Sequence, residues 1–380
     1  MSAPAIVFYI TGHGFGHATR MIAVMQALRE AEPAVRLIAR TAVLPALFAA
    51  HLGEAVTVVP GAVDVGTVQH DSLRLDKTAS LRAYATFLAE RPDRADSEGR
   101  WLRQVGAALV VGDIPPLAFE AASAAGVPGI AITNFSWDWI YAPYVAQEPA
   151  FAPLLRQIRE AYGRSTLLLR LPLHGDLSAF PAVRDVPLIA RRVPRDRAAV
   201  RGVLGLSGEE PLVVLSFGGF DLYGIDFSRL GHLSGYRFAV GRPVAGAPPN
   251  VLGVPPDRVR HDELVGAADA VITKPGYGIV SECLAHRIPV VYTSRGEFAE
   301  YGPLVTGLHR YTVATFISNE DLLAGRWGPA LQKVVGAPLP RERLEPTGAD
   351  AAARTLLTAA GLGTAVGEGR GAPGRLSGER

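Results

Sequence analysis

Apolar residues in this chain come in short, nearly unbroken runs, separated by stretches with helical periodicity. Ala5-Ile-Val-Phe-Tyr-Ile10 has the length and β-rich composition of a buried strand, and Met21-Ile-Ala-Val-Met-Gln-Ala-Leu28 reads as a helix. Val35-Arg-Leu-Ile-Ala-Arg40 predicts a second strand, residues 42–51 a helix, and Val56-Thr-Val-Val59 a third strand. Winding of this kind calls for a parallel sheet, because each crossover helix brings the chain back to start the next strand in the same direction. Residues 60–70 have a loop composition, and 77–90 and 97–105 suggest two helices. Ala107-Ala-Leu-Val-Val-Gly-Asp113 is a strand that ends in an acid. A helix with proline near its start follows at 115–125, then the strand Gly129-Ile-Ala-Ile-Thr133. The aromatic stretch Asn134-Phe-Ser-Trp-Asp-Trp-Ile-Tyr141 comes directly after it, where doubly wound sheets place ligand contacts, although capping the sheet as ordinary core is an equal alternative. Residues 151–162 predict a helix and Thr166-Leu-Leu-Leu-Arg-Leu171 a further strand.

Between His174 and Arg195 the chain turns polar, with Pro181, Pro187 and Pro194, which places a domain boundary and a hinge at about 186–194. A second series begins with the strands Leu212-Val-Val-Leu-Ser216, 236–240, 250–254 and 270–273. It continues with a helix over 278–286 and a strand over 289–292. The expected fold class is therefore α/β, with a doubly wound, Rossmann-like domain over 1–185 and another over 186–345. A last helix falls within 346–362, and the glycine-rich, polar 363–380 is expected to be disordered.

Composition narrows the function without naming it. The chain has 380 residues with 38 basic against 36 acidic ones, so a formal charge of +2 gives no support to a nucleic-acid partner. The single cysteine, Cys283, excludes an internal disulfide framework and a thiolate metal cluster. No apolar run approaches the length of a transmembrane helix and no leader is legible, so a cytoplasmic protein is expected.

The chemistry concentrates in glycine-rich turns. Thr11-Gly-His-Gly-Phe-Gly-His-Ala-Thr-Arg20 joins the first strand to the first helix and carries His13 and His17, both candidates for catalysis, with Gly14 and Gly16 between them. Glycines let backbone approach a ligand closely, and free N–H groups at the helix start favour an anion. Ser216-Phe-Gly-Gly219 follows the first strand of the second domain in the same way, so Ser216, Gly218 and Gly219 are candidate ligand contacts. In Lys274-Pro-Gly-Tyr-Gly-Ile-Val-Ser-Glu282, the N–H groups near Gly276 and Gly278 and the charge of Lys274 suit a diphosphate. Glu282, one turn into that helix, suits a pair of vicinal hydroxyls such as a ribose offers. Zinc is a weaker reading for the two histidines, since they lie on a turn and no third ligand is evident. Nicotinamide binding is weaker again: the first turn lacks the last glycine of G-x-G-x-x-G, and Arg40-Thr41 replace the acid expected after the second strand.

The chain resembles GT-B glycosyltransferases of the type that forms lipid II, and most closely the glycosyltransferase-like N-terminal half of plant-type L-arabinokinases. The resemblance rests on Tyr9-Ile-Thr-Gly-His-Gly-Phe-Gly-His-Ala-Thr-Arg20, Gly112-Asp-Ile-Pro-Pro116, Lys274-Pro-Gly-Tyr-Gly-Ile-Val-Ser-Glu282 and Arg295-Gly-Glu-Phe-Ala-Glu300, in order, up to about residue 360. No kinase domain follows, so arabinokinase activity is not expected to carry over. The resemblance implies two facing Rossmann-like domains with a cleft between them. It also implies inverting, metal-independent transfer of a sugar from a nucleoside-diphosphate donor, UDP-linked by preference, to a hydroxyl of a small molecule or glycan. No resident cofactor is expected. By the same resemblance His17 is the base, Asp113 orients it, Glu282 takes the ribose, and Glu300 and Glu297 contact the donor sugar. Arg260 and His261 fall where the nucleobase is held, largely through backbone atoms. Pro275 stands where the lipid II type has a small hydroxyl residue. An epimerase or hydrolase of the same fold, and a non-catalytic nucleotide-sugar-binding module, remain open alternatives.

Overall fold

The computed structural model describes residues 4–69, 75–206, 210–217 and 224–362; Gly218, Gly219 and the tail 363–380 lie outside the described residues. Seven parallel strands form the first sheet, in the spatial order Val56–Pro60, Arg36–Thr41, Ala5–Ile10, Ala107–Asp113, Gly129–Thr133, Leu167–Arg170 and Val183–Asp185. All six residues of Ala5–Ile10 are buried, as a central strand covered by helices on both faces requires. The chain winds outward from this strand to one edge and then crosses back, so Ala107–Asp113 lies against its other side with Ile10 opposite Asp113. This reversal is a switch point, and it brings the opening glycine turn and Asp113 to the same place.

The second sheet repeats the plan with six parallel strands, ordered Val251–Gly253, Arg237–Val240, Leu212–Ser216, Ala270–Thr273, Val290–Tyr292 and Ala314–Phe316. Its switch point sets Ser216 opposite Thr273, so the Ser216 turn and the Lys274 turn are neighbours. Sequence patterning misses several pieces. The aromatic stretch enters a largely buried helix, Trp137–Gln147. Val183–Asp185, within the proline-punctuated boundary, is a seventh strand at the sheet edge, all three of its residues exposed. Ala314–Phe316 and the helices Arg197–Val203, Tyr301–Tyr311, Asn319–Leu323 and Gly328–Val334 are also additional. No helix among the described residues is long and apolar enough to cross a membrane.

The last helix, Gly348–Ala359, leaves the second half and packs on the first-half helix Phe15–Ala31. It is docked by backbone bonds to the linker: Gly348 N–H donates to Leu188 O at 3.0 Å, and Leu188 N–H to Glu345 O at 3.1 Å. Arg192 adds ion pairs to Glu30 of the first half and Asp350 of the returning helix. The docking needs glycine at 348, because a Cβ there would collide with the Pro187 carbonyl and lie 2.8 Å from Leu188 O. Gly348→Val should therefore lower stability by about 1–3 kcal/mol, the usual cost of forcing bulk into a packed site. A urea midpoint equal to wild type would show that this docking does not clamp the halves.

Candidate active site

Gly14, at φ 84°, turns the backbone into the helix Phe15–Ala31 through a conformation that favours glycine. His17 and Arg20 are three residues apart in this helix and share a face. Both reach Asp113, which is fully buried at the adjoining strand end. His17 Nδ1 lies 3.0 Å from Asp113 Oδ1, while Arg20 bonds the same carboxylate through Nε at 3.0 Å and Nη2 at 2.5 Å. Burial works against ionisation of Asp113, but the charges of Arg20 and His17 and their hydrogen bonds outweigh it and hold the carboxyl below its usual range. Arg20 Nη2 also lies 3.2 Å from His17 Nδ1; in the tautomer that donates Nδ1–H to Asp113, the free lone pair of His17 is on Nε2. Arg20 Nη1 also donates to Asn134 Oδ1 at 2.9 Å, and Asn134 Nδ2 to Glu300 Oε1 at 2.9 Å, so the chain of bonds crosses from the first half to the second. The guanidinium of Arg20 lies 5.0 Å from the centre of the Tyr277 ring, also of the second half.

His13 is held differently. Its Nε2 lies 2.9 Å from Thr67 Oγ1 and 3.4 Å from Gln69 Nε2, and Gly66 packs directly against it. Burial, then the neighbouring charges of His17, Arg295 and Lys274, lower its pKa to about 3, so it stays neutral near pH 7. The loop over it is anchored by Asp64, which accepts from Thr11 Oγ1 at 2.7 Å and from Trp137 Nε1 at 2.9 Å.

In the second half Ser216 Oγ lies 2.9 Å from His261 Nε2, and His261 Nδ1 lies 3.5 Å from Glu282 Oε2. Glu282 is buried and paired with Arg191 of the linker, whose Nε donates to Oε1 at 2.7 Å. Burial would raise the Glu282 pKa, but Arg191 and His261 bring it down to about 2. Arg260 gives its side chain to Asp262 and its backbone N–H to Glu263 Oε2 at 3.1 Å. Lys274 is buried, and Gly276 caps the helix Tyr277–His286. The two glycine turns meet here: a Cβ on Gly278 would sit 3.0 Å from Gly16 Cα. Glu300 joins the Arg20 network, whereas Glu297 is turned outward, its side chain 78% exposed and paired with Lys77.

The structure thus brings together His17, Asp113 and Glu300, sets Gly16 against Gly278, and links Ser216, His261 and Glu282. It leaves Glu297 apart and engages the Arg260 N–H within its own helix start. Sequence reasoning missed Arg20, Asp64, Asn134, Arg191 and Arg295. Local signals were there for Arg20, in its three-residue spacing from His17, and for Asn134, which opens the stretch after the strand Gly129–Thr133. No group of three or more side chains able to hold a metal ion is assembled among the described residues.

Burial raises the Asp64 pKa from 3.8 to about 6 despite its two hydrogen bonds. Between those values the native state keeps a proton that the unfolded chain has lost, so this contribution to stability is present at low pH and is lost as pH rises through about 6. Trp137, bonded to the same carboxylate, should report the ionisation as a change in tryptophan emission centred near pH 6. Asp64→Asn should abolish the change, and an identical titration in that variant would contradict the assignment.

Comparison with known proteins bears on this architecture. No protein-family model matches the chain. It is 35% identical to the L-arabinokinase of Arabidopsis thaliana over 333 residues, which make up 86% of this chain and 32% of that protein. The solved glycotransferase of kitacinnamycin is 18% identical, with a TM-score of 0.62 covering 95% of this chain and 98% of its own. UGT2 of Phytolacca americana, complexed with UDP-2-fluoro-glucose and pterostilbene, is 13% identical, with a TM-score of 0.54 covering 94% and 90%. MurG of Acinetobacter baumannii is 13% identical, with a TM-score of 0.51 covering 94% and 99%. The two parallel sheets, meeting at their switch points and tied by a returning helix, have the GT-B glycosyltransferase fold.

Proposed function

We propose that the chain transfers a sugar from a nucleoside-diphosphate donor, UDP-linked by preference, to a hydroxyl of a small molecule or glycan. The observation that carries this reading is the His17–Asp113–Arg20 cluster at the tip of one glycine turn, in backbone contact with a second turn whose helix start suits a diphosphate. His17 Nε2 takes the acceptor proton as the acceptor oxygen attacks the anomeric carbon. The bond from that carbon to the diphosphate breaks, and the nucleoside diphosphate leaves with the electron pair. Attack from the side opposite the leaving group inverts the centre. Asp113 fixes the imidazole and stabilises its protonated form, while Arg20 holds Asp113 ionised.

On the donor side, N–H groups at Gly276 and Gly278 with Lys274 offset the developing charge, without a metal ion. Glu282 takes ribose hydroxyls through Oε2, the oxygen that Arg191 leaves free. Ser216 and His261 flank the nucleoside, with base contact falling to His261, because both the N–H and the carbonyl of Arg260 are engaged within its own helix start. Glu300, steadied by Asn134, faces the donor sugar; Glu297 would have to leave Lys77 to join it. Gly14 and Gly16 allow donor and acceptor to approach. His13 lines the acceptor side as a neutral hydrogen-bonding group, since its Nε2 is engaged by Thr67.

His17→Gln should lower turnover by about 10²–10⁴-fold, the range for loss of a general base, while UDP affinity by calorimetry stays within about twofold. Asp113→Asn should lower turnover similarly by misorienting the imidazole. Unchanged turnover in His17→Gln, measured where chemistry limits the rate, would remove the base assignment.

A further inference from the structure

Two arginines are buried where the halves meet, and both are paired. Arg20 has the Asp113 carboxylate and Asn134, and Arg191 has Glu282. Arg295 is different. Its side chain is 12% exposed, yet its one hydrogen bond among the described residues runs from Nη1 to the Pro275 carbonyl at 3.2 Å. The nearest carboxylate, Glu300, lies 4.0 Å away, and its other oxygen is engaged by Asn134. The guanidinium is stacked 3.6 Å from the centre of the Phe298 ring, which holds it in place without neutralising it. A cation sheltered from water with so little compensation is costly. Desolvation accordingly pulls the Arg295 pKa down, with Glu300 and Tyr144 only partly restoring it.

The place of this cation says what it awaits. Pro275, whose carbonyl it holds, precedes Gly276, the cap of the helix Tyr277–His286, and a Cβ on Gly276 would lie 3.8 Å from Arg295 Nη1. Cation and helix start therefore favour negative charge at one spot.

We propose that Arg295 binds the diphosphate of the donor and of the leaving nucleotide, completing its charge pairing only when that anion is present. This rests on the reading of the chain as acting on a nucleoside-diphosphate sugar. Pro275 removes a side-chain donor from this turn, and the Arg295 guanidinium supplies donors in its place.

The test compares wild type with Arg295→Met, which keeps apolar packing on Phe298, in calorimetric titrations with UDP, UMP and uridine and in thermal melts with and without UDP. The expected result is an affinity for UDP lowered by about tenfold to hundredfold, as for loss of a charge-assisted hydrogen bond, with uridine binding unchanged. The ligand-free melting temperature should equal or exceed that of wild type, since an underpaired, sheltered cation has been removed. Equal UDP affinity in the two proteins would overturn the proposal while leaving the functional reading in place. A lowered melting temperature with an unchanged UDP-induced shift would assign Arg295 a structural role and also overturn it. Absence of any nucleotide binding by wild type would instead overturn the functional reading beneath it.

Discussion

The site depends on one buried carboxylate. Asp113 has no access to water, so it stays ionised only because Arg20 and His17 surround it with donors. Removing one partner of such a pair commonly costs about 3–5 kcal/mol, so the arrangement over-determines its members. The sheet topology makes the meeting possible, because the switch point sets Ile10 beside Asp113 and starts the helix bearing His17 and Arg20 within a few residues.

From that carboxylate, polar contacts run into the second half. Arg20 reaches Asn134 and Tyr277, Asn134 reaches Glu300, and the Gly16 backbone lies on Gly278. Behind them Arg191 of the linker holds Glu282. The placement of His17 and the packing of the two halves against each other are thus parts of one network. Single substitutions within it should disturb positioning and stability together, and only paired readouts of binding and turnover separate the two.

Much of the fold was legible because buried parallel strands are continuous apolar runs. Ala5–Ile10, Leu212–Ser216 and Ala270–Thr273 need no tertiary information to be recognised. Val183–Asp185 and Ala314–Phe316 were missed because they are three residues long and exposed or half-buried, so their pairing comes from the neighbouring strand rather than their own pattern. The same division holds at the site. The glycine turns that meet at Gly16 and Gly278 stand out locally after their leading strands, and the proximity of His17 and Asp113 follows from strand order. Asn134, Arg191 and Arg295 matter through partners 91 to 166 positions away or through the lack of a close one, as with Glu282 for Arg191 and Glu300 for Asn134. No local pattern encodes that.

The central claim is that the two glycine turns enclose a nucleoside-diphosphate sugar and that His17 directs an acceptor hydroxyl at it. The most direct measurement is release of UDP from UDP-sugars by the intact chain, with and without hydroxyl acceptors, alongside mass and anomeric analysis of the products. The account predicts release that depends on an acceptor and is matched mole for mole by a glycosylated product of inverted configuration. Equal release without any acceptor, or no release from a donor that the chain binds under any acceptor tested, would contradict it.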